Sequence, residues 1–371
     1  MPGGTNGSAA TTTRTANIIL IITLSIASLY FAASFLIPVV LAGLLAMLLN
    51  GASEWLEKLG LGRALSAFIP VLAFIGAITV IGLVLSWQIN RLTADFAGMK
   101  EQVGAKLEAL RAWVSDTFGI AVHEQEKLVK EQGKEASNQA GTWLFTIVNT
   151  LADVAVNTVL VVVYTYLLIF YRSHLKKAII HMVPESKKRD TNRIIHKSIA
   201  VSGHYLIGLF AMVACLWVMY GIGFTIIGLQ GAILFAMICG LLEIVPFLGN
   251  FVGSVIALIA ALAQGGDAGM VLGVVAVYVI VQFLQTYILE PLVVGQRVNI
   301  NPLFTIMGLV AGELLWGIAG MALAIPVVGI IKIICDNVPE LKPYGILIGP
   351  ADSPKGKTHH FQALKRKFER K

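Results

Sequence analysis

The sequence predicts an all-α, polytopic membrane protein, and three observations carry that prediction. The chain is 57% hydrophobic and only 13% charged, against about 25% charged for an ordinary soluble domain. Its apolar residues fall in runs that reach or exceed the ~20 residues a helix needs to cross a bilayer. Its positive charge is concentrated: of 28 Lys and Arg, 8 lie between Arg172 and Lys197 and another 8 follow Asp336. Flanking apolar spans, such clusters mark cytoplasmic segments under the positive-inside rule rather than a nucleic-acid surface. The pattern predicts about 6–8 membrane segments. One or two of them are re-entrant or broken-helix hairpins, and an extracytoplasmic amphipathic helical segment is added to these.

Residues 1–16 (MPGGTNGSAATTTRTA) are small and polar and are expected to be disordered. N-terminal membrane helices occupy 17–90. The run Ile18 to Leu49 is too long for a signal-peptide core of about 7–15 residues. As one helix it would span ~48 Å, more than a hydrocarbon core of ~30 Å. Pro38 sits mid-run, so a hairpin turning there is predicted. Ala64 to Ile89 is a clean span behind a loop carrying Trp55.

Residues 91–141 change character, with 7 basic and 8 acidic side chains. Leu92, Phe96, Met99, Val103, Leu107, Leu110, Val114 and Phe118 recur every three or four positions, one stripe of a helix ended by Gly119. That stripe suits first a helix covering its own protein or lying at the membrane surface, and as the sharper alternative a seam for self-association. A membrane span follows in 142–172, then a basic cytoplasmic loop in 173–197, a core with broken helices in 198–336, and a basic cytoplasmic tail in 337–371.

Counting crossings sharpens this plan. With both basic clusters and the N-terminus inside, segment 91–141 is outside, and an even number of crossings must follow Lys197. Five apolar stretches remain, so at least one is not a simple span. Ile226 to Ala263 is broken at Pro246–Asn250, and Leu303 to Ile334 at Trp316–Gly317 to Gly320, with Pro326 beyond. If both are hairpins, parity is satisfied. Broken helices meeting near the midplane are a recurrent way to build a transport site.

Three carboxylates lie inside or against these apolar segments: Glu243, Glu290 and Glu313. A carboxylate at mid-bilayer depth costs roughly 2.5–3.5 kcal/mol, so it faces a cavity or a partner. Glu243, three residues before Pro246, is either a proton or cation site or an acceptor for amides freed at the kink. Glu290 closes a span in which Gln282 and Gln285 form a loose polar stripe; its alternative is an interfacial pair with Arg297. Glu313 is a coupling group or a partner of Arg297 or Lys332. Asn250 offers an amide to a polar solute or caps the turn. Pro246, Gly249, Pro291, Pro302, Gly317, Gly320 and Pro326 are the expected tips and hinges. Glycines 308, 312, 317 and 320 suit close helix packing.

Several classes are excluded. The sequence has no nucleophile elbow, zinc-protease helix motif, P-loop or dinucleotide fingerprint, so no enzyme, cofactor or ATP-driven pump is expected. Cys215, Cys239 and Cys335 lack metal-ligand spacing, and the scattered His174, His181 and His196 predict no metal site. No nucleic-acid partner is expected.

The stretches EIVPFLGNFVGSVIALIAAL and LEPLVVGQRVNINPLFTIMGLVAGELLWGIAGMALAIPVVGIIK resemble the autoinducer-2 exporter family, in that family's order of motifs. The resemblance covers roughly Ile18 to Asp336. It implies a bacterial inner-membrane protein that exports autoinducer-2 or a related small polar metabolite, assembled as a homo-oligomer, with a pentamer as one form. Sodium(lithium)/proton antiport is also assigned within the family. Residues and resemblance together predict a secondary transporter or exporter of a small polar solute or cation, embedded in the lipid bilayer. Both termini are expected in the cytoplasm. The alternatives are a cation/proton antiporter and a non-transporting scaffold acting through 91–141.

Overall fold

The computed structural model describes residues 6–93, 157–245, 248–294 and 300–350. Among these every regular element is helical. In chain order they are α1 (Asn6–Phe31), α2 (Ala33–Lys58), α3 (Arg63–Thr93), α4 (Asn157–Phe170), α5 (Arg172–His181) and α6 (Lys188–Ile226). Then come α7 (Ala232–Leu242), α8 (Leu248–Ala263), α9 (Ala268–Leu284), α10 (Pro302–Asn337) and α11 (Lys342–Ile348). The segment 91–141, apart from its first residues, lies outside the described residues, as do Pro246, Arg297 and the tail from 351.

Five helices are long and apolar enough to cross a membrane, and the bent pair α4–α5 makes six. Their apolar side chains are largely on the outside: on α3, Leu72, Ile78, Val80, Leu83 and Trp87 are all more than half exposed. In water such a surface would drive aggregation; in a bilayer it is the lipid-facing coat, and buried polar groups become the informative feature. The protein is an integral, multi-helix membrane protein.

Three sequence expectations are corrected. The first break falls at Ala32, not Pro38. The Ala32 amide still reaches the Ser28 carbonyl (2.9 Å) and Leu36 reaches Ala32 (2.8 Å), so the chain barely leaves the helical path. Pro38 lies inside α2 and is buried; it forfeits one backbone bond about a turn from the helix start, a loss membrane helices tolerate where neighbours cover it. Second, α1 begins at Asn6, within the stretch expected to be disordered, because extending an existing helix is far cheaper than nucleating one. Third, the basic "loop" is mostly helix, formed by α5, a short turn of 3-10 helix and the first turns of α6.

Contacts divide the chain into two bodies. The first comprises Met1–Ile37, Ser173–Ser202 and Gln296–Lys371; the second comprises Pro38–Arg172 and Gly203–Gly295. In the first body, α10 is a helical hairpin. Trp316 and Gly317 leave helical geometry, and Gly317 has φ 59° and ψ −141°, a conformation open essentially to glycine alone. The arms then fold back until the backbones of Gly312 and Gly320 touch, and Gly308 faces Val328. The Trp316 indole donates to the Leu29 carbonyl (3.0 Å), tying the hairpin tip to α1. At its base, the Asn301 side chain accepts from the Phe304 amide (2.9 Å) and donates to the Leu347 carbonyl (3.0 Å). Pro302 therefore starts α10 in the first-turn position that suits proline.

In the second body, α7 and α8 form a second, shorter hairpin. Its open end is closed by Gln230 and Gln264: the Gln230 amide donates to Oε1 of Gln264 (2.8 Å), whose Nε2 donates to the Gln230 carbonyl (2.9 Å). At its tip Gly249 lies directly on the Leu242 carbonyl, with no room for a Cβ. Arms of 11 and 16 residues are each too short to cross a bilayer at 1.5 Å per residue. Elsewhere in this body Ala67, Val71 and Ile169 pack α3 on α4. Arg172 reaches back to α2, donating to Ser53 Oγ (2.8 Å) and to the Glu57 carboxylate (2.6 Å).

Candidate functional site

The hairpin tip delivers Glu243. Helix α7 stops there: the Glu243 amide bonds to the Cys239 carbonyl (3.2 Å), Ile244 to Leu241 (3.2 Å) and Val245 to Leu242 (3.0 Å). Gly249 then reopens helical bonding by donating to Val245 (2.9 Å). These amides are satisfied by main-chain carbonyls, so among the described residues the Glu243 carboxylate does not serve as their acceptor. It turns instead into the body, 6% exposed, and its Oε1 accepts from Nε2 of Gln285 (2.9 Å).

Gln285 sits where α9 changes pitch. From Gln285 to Val294 the chain follows a π-helix, a rare form found mostly at functional positions. Glu290, in the same π-helical segment, is exposed. The polar stripe expected from helical spacing is thus rearranged: Gln285 faces Glu243, and Gln282 is half-buried and donates to Thr286 Oγ1 (3.4 Å).

Three further side chains complete the cluster, and the sequence reading had missed them as functional. Tyr278 Oη donates to the Cys239 thiol (2.8 Å), whose Sγ lies 3.6 Å from the Gly253 carbonyl. The Tyr220 ring packs on Tyr278 (centroids 4.9 Å apart) and stacks on Phe224 (5.5 Å). Tyr220 is fully buried, and its hydroxyl has no partner among the described residues; neither has Oε1 of Gln282 or of Gln285. A buried polar group left unpaired costs about 1–3 kcal/mol, so these oxygens call for a ligand, a water or a proton. The signal available in the sequence was two hydroxyl-bearing rings in otherwise aliphatic runs.

The other predicted residues fall elsewhere. Asn250, half-buried, is in the first turn of α8. Glu313 belongs to the first body, exposed on the first arm of the α10 hairpin. Lys332 does not pair with it, because Lys332 is 2.5 Å from Asp336 on its own helix. Gly320 makes the arm crossing rather than a break, and Pro326 is buried in the second arm. Pro291 lies within the π-helix, where its missing amide sits in a segment already released from α geometry.

Broken helices bearing a buried carboxylate inside a lipid-coated helical protein define a membrane transport protein. The AI-2E family transporter profile matches residues 19–340, and the chain belongs to that family. It is 26% identical to YrrI of Bacillus subtilis over 308 residues, covering 80% of this chain and 84% of that one. It is 27% identical to sll0063 of Synechocystis, covering 85% and 80%, and 23% identical to YhhT of Escherichia coli, covering 88% and 91%. All three are named as candidate transport proteins.

Proposed function

We propose that this protein is a secondary transporter that moves a small polar solute past the tip of the α7–α8 hairpin, with Glu243 as the group that switches between charged and neutral forms. The observation that carries this reading is the buried Glu243–Gln285 bond, together with Tyr220 Oη and the Oε1 atoms of Gln282 and Gln285, buried and without partners among the described residues. Such a cluster is costly when empty, and burial lets a single proton or solute change its energy substantially. Glu290, on the π-helical segment that carries Gln285, is the second carboxyl of the pathway. Glu313, Asn250 and Arg297 are secondary candidates. By family resemblance the solute is autoinducer-2 or a related metabolite. The protein resides in the inner membrane of a bacterium as a homo-oligomer, with its basic clusters and both termini in the cytoplasm.

A second reading has one observation in its favour. The unpaired atoms are all oxygens, which suits a dehydrated cation and therefore sodium(lithium)/proton antiport. The test is flux in proteoliposomes holding only this protein. Signal flux accelerated by an imposed gradient and lost in Glu243→Gln supports export. Sodium-dependent pH change without signal flux supports antiport. Neither activity at normal protein level would overturn both.

A further inference from the structure

The most basic segment forms a pocket that the transport reading leaves unused. It lies wholly in the first body, is about 560 Å³ in volume, and is lined by Arg189, Asp190, Asn192, Arg193 and His196. Spacings of three and four place Arg189, Asn192, Arg193 and His196 along one face of α6. The neighbouring charges fall into two groups. Lys188 is occupied by Glu185 (2.5 Å) and Lys187 by Glu340 (3.1 Å). Among the described residues, Arg193 and Lys197 share the neutral Asn337 Oδ1, at 2.8 and 3.4 Å. Lys176 Nζ lies 2.7 Å from His196 Nε2. Arg189 makes no ion pair among the described residues, and Asp190 is the one acid on the wall. The pocket therefore has surplus positive charge presented by guanidinium groups, whose fork geometry matches phosphate. The Asn192 amide on the same wall adds N–H donors.

Position identifies the source of the phosphate. Helix α6 runs unbroken from Lys188 to Ile226, and its apolar stretch opens at Ile199. At 1.5 Å per residue, His196 stands ~5 Å and Arg193 ~9 Å before that point. This is the depth of the headgroup layer beside a ~30 Å core. Basic charge here also meets the leaflet that the positive-inside distribution assigns to the cytoplasm.

We infer that this pocket binds the phosphate of an anionic phospholipid headgroup, held by Arg189 and Arg193 with Asn192 and Lys176 at its edge. The test uses the full-length protein in neutral detergent, titrated with phosphatidylglycerol or phosphatidylcholine, with bound lipid counted by native mass spectrometry and thermal stability read in parallel. Wild type should retain phosphatidylglycerol in preference to phosphatidylcholine and be stabilised by it. Each lost surface charge should weaken binding roughly fivefold, so Arg189→Gln should bind about fivefold more weakly. Arg189→Gln removes no described protein contact and should fold normally. Arg193→Lys, which keeps the charge and loses the fork, should fall between the two. Equal retention of both lipids, or an unchanged preference in Arg189→Gln, would overturn the site. If millimolar inorganic phosphate fully displaces the lipid effect, the lipid is not the occupant.

Discussion

The Glu243–Gln285 bond permits a quantitative test of the cluster by a double-mutant cycle. Gln285→Leu leaves a buried carboxyl without its described donor. Glu243→Leu leaves the Gln285 amide with neither end satisfied, because its Oε1 is already unpaired. Each single change should cost about 1–3 kcal/mol, with a hydrogen bond to a charged group contributing about 1.5–3. The double variant removes both polar partners and leaves an apolar contact, so it should be less destabilised than the sum. The expected coupling is about 1.5–2 kcal/mol, more than tenfold in an equilibrium constant. Equilibrium unfolding in mixed micelles, read by circular dichroism for the four proteins, measures it. Coupling within about 0.5 kcal/mol of zero would show that the two side chains act independently and would refute the reasoning. The same four proteins in proteoliposomes separate stability from transport: Gln285→Leu should keep residual flux, whereas Glu243→Leu should abolish it.

The remaining expectations concern the scaffold. Gly317→Ala should destabilise the α10 hairpin by about 1–3 kcal/mol, because φ 59° and ψ −141° exclude a side chain; an unchanged melting temperature in detergent would contradict it. Trp316→Phe removes the indole bond to Leu29 at a cost of about 1 kcal/mol, and proteolysis near residue 29 should accelerate. Arg172→Ala should cost about 1–3 kcal/mol by leaving buried Ser53 and half-buried Glu57 without their donor; unfolding in mixed micelles checks it. A backbone amide hydrogen bond, and after it the Lys187 ammonium at 3.1 Å, hold the Glu340 carboxyl below its ordinary range. The associated stabilisation is therefore present above the usual value of about 4.3 and lost as pH falls through the lowered one. Comparing wild type with Glu340→Gln across acidic pH should show the difference vanishing in acid.

The sequence by itself determined what depends on composition and on neighbours along the chain. A membrane protein follows from 57% apolar residues. The breaks after Leu242 and at Trp316–Gly317 fall where the sequence places glycine and proline, whose backbone effects are local. Pro38 misled for the same reason: the local penalty was read correctly, but burial inside α2 absorbed it. Glu243 was legible as a site because a carboxylate in an apolar run is costly wherever it ends up. Only the tertiary structure decided what answers that cost. Gln285 is 42 residues away, and its choice depends on how α9 docks against the hairpin. The pairing of Tyr278 with Cys239, and the burial of Tyr220, arise from the same docking. The π turns from Gln285 to Val294 were invisible, because helical periodicity assumes 3.6 residues per turn. Partners distant in sequence are selected by packing, and packing is a property of the whole fold.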